Sequence, residues 1–215
     1  MRALDEPDRM PAAPVDYQLA LPEGWFRIPL EATARQASVE ALVERQFKGV
    51  DDAPHLKRQA QEDLLARAVE AERNGGIELY ISLQQIGPMT IPASLLVTLA
   101  TPPRPGGVSV TELANHLQEN GPQEQQVATG KLPAGAAVRV RQRTVPAEND
   151  PSGNSLPTTT LDYYVRIPES DAYLLLTFST PLDPLADALV ELFDAVAGSL
   201  AWVGTSTSTG GGAAS

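Results

Sequence analysis

Apolar and polar positions alternate most regularly near the end of the chain. Leu161, Tyr163, Val165 and Ile167 fall on one face of an extended segment, with Asp162, Tyr164 and Arg166 on the other. Pro168-Glu169-Ser170-Asp171 supplies turn chemistry, because proline fixes φ and the serine and aspartate oxygens bond to nearby backbone. The return segment, residues 172–180, sets Leu174, Leu176 and Phe178 against Tyr173, Thr177 and Ser179. The two segments predict a hairpin covered on one face and partly on the other. A helix follows, in which Leu185, Leu189, Leu192, Phe193, Val196 and Leu200 form one stripe. Burial of that stripe contributes on the order of 10 kcal/mol before entropy is set against it, which makes the helix a core element. Thr180-Pro181 and Asp183-Pro184 each place a capping oxygen ahead of a proline, and either can start it.

Upstream, residues 17–30 read as two short extended pieces around a break at Pro22-Glu23-Gly24, anchored by Trp25. Residues 38–47 read as a helix ended by Gly49. Residues 54–73 predict a longer helix with Leu56, Ala60, Leu64, Ala68 and Val69 on one side and Asn74-Gly75-Gly76 as its stop. Strands over 77–84 and 93–100 flank a loop from Gln85 to Pro92, and a short helix over 110–119 starts after Ser109. Two more strands, 125–131 and 136–145, lead through a polar connection, 146–157, into the final hairpin. The expectation is one α+β domain over residues 15–203, a meander-rich antiparallel sheet flanked by helices as an α/β/α sandwich. Residues 1–14 and the Ser/Thr/Gly/Ala tail, 204–215, are expected to be disordered.

Composition narrows the function. A formal charge of −11, from 27 acidic and 16 basic residues, disfavours phosphate-dominated nucleic-acid binding and points to a basic partner. The absence of cysteine excludes disulfides, thiolate metal sites and cysteine nucleophiles. No stretch nears the roughly 20 apolar residues a membrane span needs. Residues 1–15 are acidic and proline-rich and do not read as a secretory signal, so a cytoplasmic protein is expected. Abundant Ala, Gly, Pro and Arg suggest a GC-rich, bacterial genome.

The order of these parts resembles the PsbP-like fold, an α/β/α sandwich shared by an extrinsic photosystem subunit, a nuclear Ran-binding factor and bacterial envelope lipoproteins. Pro22, Gly24 and Trp25 near the start carry the resemblance, together with the closing hairpin and its helix through Phe193, Ser199 and Trp202. The resemblance spans about residues 15–203. It implies binding and assembly roles more than catalysis, and it brings no common catalytic residue. The lipoproteins' signal peptide and lipidated cysteine have no counterpart here.

Candidate chemistry is sparse. Asp51, Asp52 and His55 lie within five residues, enough for part of a metal site, but an Asp shortly before a proline that opens a helix reads as a cap. His116, beside Asn115 and Glu119, reads as part of a solvated helix face. Gly106-Gly107-Val108-Ser109 lacks the strand and spacing of a nucleophile elbow, and Gly75-Gly76 lacks the Lys-Ser/Thr of a phosphate loop. No catalytic residue, metal site or cofactor is predicted. Two features remain. Alternation puts Arg139, Arg141 and Arg143 on one strand face, either paired with acidic neighbours across the sheet or forming a patch for an acidic partner. Ile86, Met89 and Ile91, around Pro88 and Pro92, either fold back onto the sheet or form a contact surface. The leading expectation is a non-enzymatic protein-binding or assembly module of a cytoplasmic bacterial complex, without nucleic acid or membrane insertion. The alternatives are a chaperone-like factor for an exported or large-machine component, which predicts an apolar groove, and a small carboxylate-dependent hydrolase, which predicts a deep pocket with convergent acids.

Overall fold

Seven antiparallel strands form the central sheet, which runs in space from the second strand of the chain through the third, fourth, eighth, seventh and sixth to the fifth. The computed structural model describes residues 16–47, 54–87, 89–101, 107–146 and 156–204, with backbone alone at 83, 85, 86, 89 and 90. The strands are β2 (Trp25–Ile28), β3 (Gly76–Ile86), β4 (Met89–Ala100), β5 (Gln126–Leu132), β6 (Gly135–Thr144), β7 (Thr158–Arg166) and β8 (Tyr173–Thr180). A separate ladder joins β1 (Asp16–Gln18) to β9 (Ala201–Val203). The helices are α1 (Ala32–Gln46), α2 (Pro54–Arg73), α3 (Val110–Asn120) and α4 (Ala186–Gly198). The chain is thus α+β, with an antiparallel sheet flanked by helices, as the pattern of elements predicts.

Helix α4 lies against one face of the sheet. Phe193, fully buried, stacks on Phe178 of β8 at 5.0 Å and meets Trp25 of β2 edge-on at 6.3 Å. Leu161, Tyr163 and Val165 of β7 and Leu95 and Val97 of β4 complete this core. The opposite face carries two smaller clusters. There α1 and α2 pack on Leu79 and Ile81 of β3, while α3 packs on Val138 and Val140 of β6. Trp202 of β9 donates its indole N–H to the Ala134 carbonyl at 2.7 Å, which fixes β9 beside the β5–β6 turn.

Four expectations need correction. Helix α1 begins at Ala32 rather than Ser38. Its first turn carries no apolar stripe and is held by polar contacts: Glu31 accepts from the N–H groups of Thr33 and Ala34, and buried Arg35 pairs with Glu72 at 2.7 Å. Neither proposed cap starts α4. A 3-10 turn over Asp183–Leu185 precedes it, the Thr180 hydroxyl donates to the Pro92 carbonyl, and the Asp183 carboxylate is taken by Arg143. Leu185 in that turn is therefore 39% exposed, and Ala186, Val190 and Ala197 join Leu189, Phe193, Val196 and Leu200 in the buried stripe. The helix stops at Gly198, and Trp202 lies in a strand.

The fourth correction concerns the segment from Gln85 to Pro92. The β3–β4 ladder runs through it to a last pair, Ile86 with Met89, so the segment is the outer end of a long hairpin rather than a loop. Gly87, at φ +61°, forms the bend. Gly87 marks the bend, and Pro92, paired with Leu83 and beyond the start of the β4–β8 ladder at Ser94, holds an edge position rather than interrupting the pairing.

Candidate functional site

The outer end of the β3–β4 hairpin projects beyond its neighbours. β2 pairs with β3 only as far as Ser82, and β8 pairs with β4 only from Ser94 onward. Gly24, at φ +85°, backs onto Gln84, where an added Cβ would lie 3.2 Å from the Gln84 Cα. On the other side the Thr180 hydroxyl donates to the Pro92 carbonyl at 2.8 Å and accepts from the Leu182 N–H at 3.1 Å, fixing the base of the projection. Of the three apolar residues singled out in sequence, Ile91 folds back into the core at 4% exposure. The side chains of Ile86 and Met89 lie outside the described residues.

Beside that base a groove of about 380 Å³ opens between the helix pair and the sheet. Leu42 and Val43 of α1, with Phe47 at its C-cap, form one wall, and Ala60 and Leu64 of α2 another. Ile81, Pro92, Ser94 and Ser179 form the floor, where the Ser94 and Ser179 hydroxyls are 2.7 Å apart. Gln46, Asp63 and Arg67 stand at the rim. Sequence reasoning missed this groove because it is assembled from α1, α2 and three strands. The one available signal was that α2 carries a thin apolar stripe, which covers only part of a sheet.

The arginine row is engaged within the molecule. Arg139 pairs with Asp194 at 2.8 Å, Arg141 with Asp187 at 2.5 Å and Arg143 with Asp183 at 2.7 Å. All three acids belong to α4 or the turn before it, not to a neighbouring strand, because this face of β6 lies under the helix. The hydrogen bond from Arg139 to Asp194 holds the guanidinium above its usual pKa. Burial, followed by the bond to Asp194, pushes the Tyr163 phenol up to about 12.

A second polar knot, not foreseen from the sequence, joins β1 to the main sheet. Glu78 of β3 accepts from the phenols of Tyr17 and Tyr80 and pairs with Arg27 at 2.5 Å. Burial raises both phenol pKa values, and the bonds to Glu78 add to it.

Neither histidine gathers partners for catalysis. His55 is exposed in the first turn of α2, and Asp51 and Asp52 lie outside the described residues. The His116 ring is 3.1 Å from the Asn120 amide on an exposed face. Among the described residues no three His, Asp or Glu side chains are grouped to hold a metal. Ser109 caps α3: its hydroxyl accepts from the Glu112 N–H, and its own N–H donates to the Glu112 carboxylate. A second hollow, about 560 Å³, lies between the turn at residues 134–136 and residues 166–171, with Glu169 and Asp171 on its wall and Arg166 3.8 Å from Asp171.

Two of the solved structures that the chain resembles are a Ran-binding protein and a cyanobacterial PsbP. The Saccharomyces cerevisiae Ran-binding protein Mog1p is 13% identical at a TM-score of 0.42, over 60% of this chain and 80% of that one. Cyanobacterial PsbP from Synechocystis sp. PCC 6803 is 12% identical at a TM-score of 0.42, over 86% of each chain. Both have the PsbP-like fold. No protein-family model and no curated protein matches the chain. No helix among the described residues is long and apolar enough to cross a membrane.

Proposed function

We propose that this chain is a non-enzymatic protein-binding module, an adaptor or assembly factor of a cytoplasmic bacterial complex. A partner segment enters the groove between α1, α2 and the sheet and is braced by the projecting β3–β4 hairpin. The observation that supports this reading is the groove's lining. It is apolar on its walls, carries a single acid, Asp63, at its rim, and has the size of a ligand site, roughly 300–1,000 Å³. Convergent carboxylates, which a hydrolase of the kind considered above requires, are not part of that lining. The hollow bearing Glu169 and Asp171 is an open surface between two turns, with Arg166 close to Asp171.

The test is affinity purification with identification of the bound protein, followed by binding measurements on two variants. Ala60→Phe fills the groove, and replacement of residues 85–90 by a two-residue Asn-Gly turn shortens the hairpin. Both are expected to weaken the identified partner at least tenfold without lowering the melting temperature by more than a few degrees. Unchanged binding by both variants overturns the reading. The same groove suits a chaperone-like factor, and the partner's state separates the two: an adaptor binds the folded partner, a chaperone its unfolded or nascent form.

A further inference from the structure

The groove opens sideways onto a strip of sheet between two blocks of helix. On this face, among the described residues, α1 and α2 pack against β2 and β3, and α3 packs against β5 and β6. Register places side chains in rows across β4, β8 and β7 between these blocks. Ser94, Ser179 and Thr160 form one row, and Leu96, Thr177 and Asp162 the next. All six are half-buried. Ser94 and Ser179 also floor the groove, so its apolar walls lead directly onto a band of hydroxyl groups.

Asp162 is the charged residue of these rows. Its carboxylate is hydrogen-bonded by Thr177, while Oδ1 is shielded from solvent and has no hydrogen-bond partner. A buried acceptor left in that state is unfavourable unless a donor reaches it. Asp162 is one strand over and two residues along from Ser179, a diagonal separation of about 7–8 Å, within the span of one long side chain from the groove floor.

We propose that this strip recognises a lysine of the docked partner segment. An apolar side chain of that segment enters between α1 and α2, and a lysine close to it in sequence crosses the Ser94–Ser179 pair to reach Asp162. This placement rests on the groove reading above. Lysine fits better than arginine, because its compact ammonium can divide three donors between a carboxylate and surrounding hydroxyl oxygens. A guanidinium prefers both carboxylate oxygens in one plane, and Thr177 already engages this carboxylate. The chain's charge of −11 favours a partner that is basic around the contact.

The test is a displayed-peptide selection on the full chain, followed by binding of the selected synthetic peptides to wild type, Asp162→Asn and Ala60→Phe. The expected peptides carry a lysine at constant spacing from a large apolar residue. Replacing that lysine by norleucine, or Asp162 by Asn, weakens binding at least tenfold, and the two changes together cost no more than either alone. The norleucine peptide tests the contact on wild-type protein even where Asp162→Asn does not fold. Peptides that lose binding to Ala60→Phe but bind equally with norleucine and to Asp162→Asn overturn the lysine site and leave the groove reading standing. Peptides indifferent to every change, or no enrichment at all, overturn both.

Discussion

Arg139 of β6 and Asp194 of α4 meet in a two-pronged pair, Nε to Oδ1 at 2.8 Å and Nη2 to Oδ2 at 3.0 Å, and the Tyr163 hydroxyl donates to the same Oδ1 at 2.5 Å. Removing the carboxylate leaves a guanidinium and a phenol unpartnered, with the Arg139 side chain only 26% exposed. Asp194→Ala is expected to lower stability by about 1–2 kcal/mol, read from the denaturant midpoint. Arg143→Gln removes the most exposed of the three arginine side chains and is expected to leave the unfolding curve unchanged.

Asp162 gives a pH dependence of defined sign. Burial raises its carboxyl pKa above the usual aspartate value of 3.8, against a lowering by the Thr177 bond. Between the unfolded and the raised folded pKa the native state holds more protons than the unfolded one, so stability falls as pH rises through that window and then levels off. Asp162→Asn removes the contribution. Its stability relative to wild type is expected to be greater at pH 7 than at pH 3, by urea unfolding at both.

Phe193 and Leu185 belong to the same sequence stripe but differ in burial, at 0% and 39% exposure. Phe193→Ala is expected to cost about 3–5 kcal/mol, and Leu185→Ala less than about 1 kcal/mol, both by thermal unfolding.

The reciprocal bonds between Ser109 and Glu112 satisfy two N–H groups at the start of α3. Ser109→Ala is expected to cost about 1 kcal/mol. Amide exchange should quicken at Glu112, whose N–H loses its acceptor.

Alternation alone located the β7–β8 hairpin, because each residue's face in a strand follows from its parity. What covers that face does not. The arginine row was legible as a row, but its partners Asp183, Asp187 and Asp194 lie 40 to 55 residues away on a helix whose angle over the sheet no local pattern encodes. The first turn of α1 was missed because Arg35 is buried by pairing with Glu72, a contact invisible to apolar periodicity. The first part of β4 was missed because Pro92 looks like a break, whereas here its carbonyl is met by Thr180. The groove and the Ser94–Ser179 floor depend on strands 85 residues apart and left no local trace.

In the main sheet every strand pairs with its neighbour in sequence except at β4–β8. Residues up to Ala100 and residues from Val110 onward therefore each pair their own strands internally, and they meet along that seam, at the β1–β9 clasp and under α4, where Phe193 meets Trp25. Such wiring is the one that fragment complementation exploits: two pieces cut between these halves retain their own strand pairings and have one strand seam of the main sheet to re-form, with the α4 core and the β1–β9 clasp closing over it. Loop closure across that seam is also the most entropically costly step of assembling the sheet.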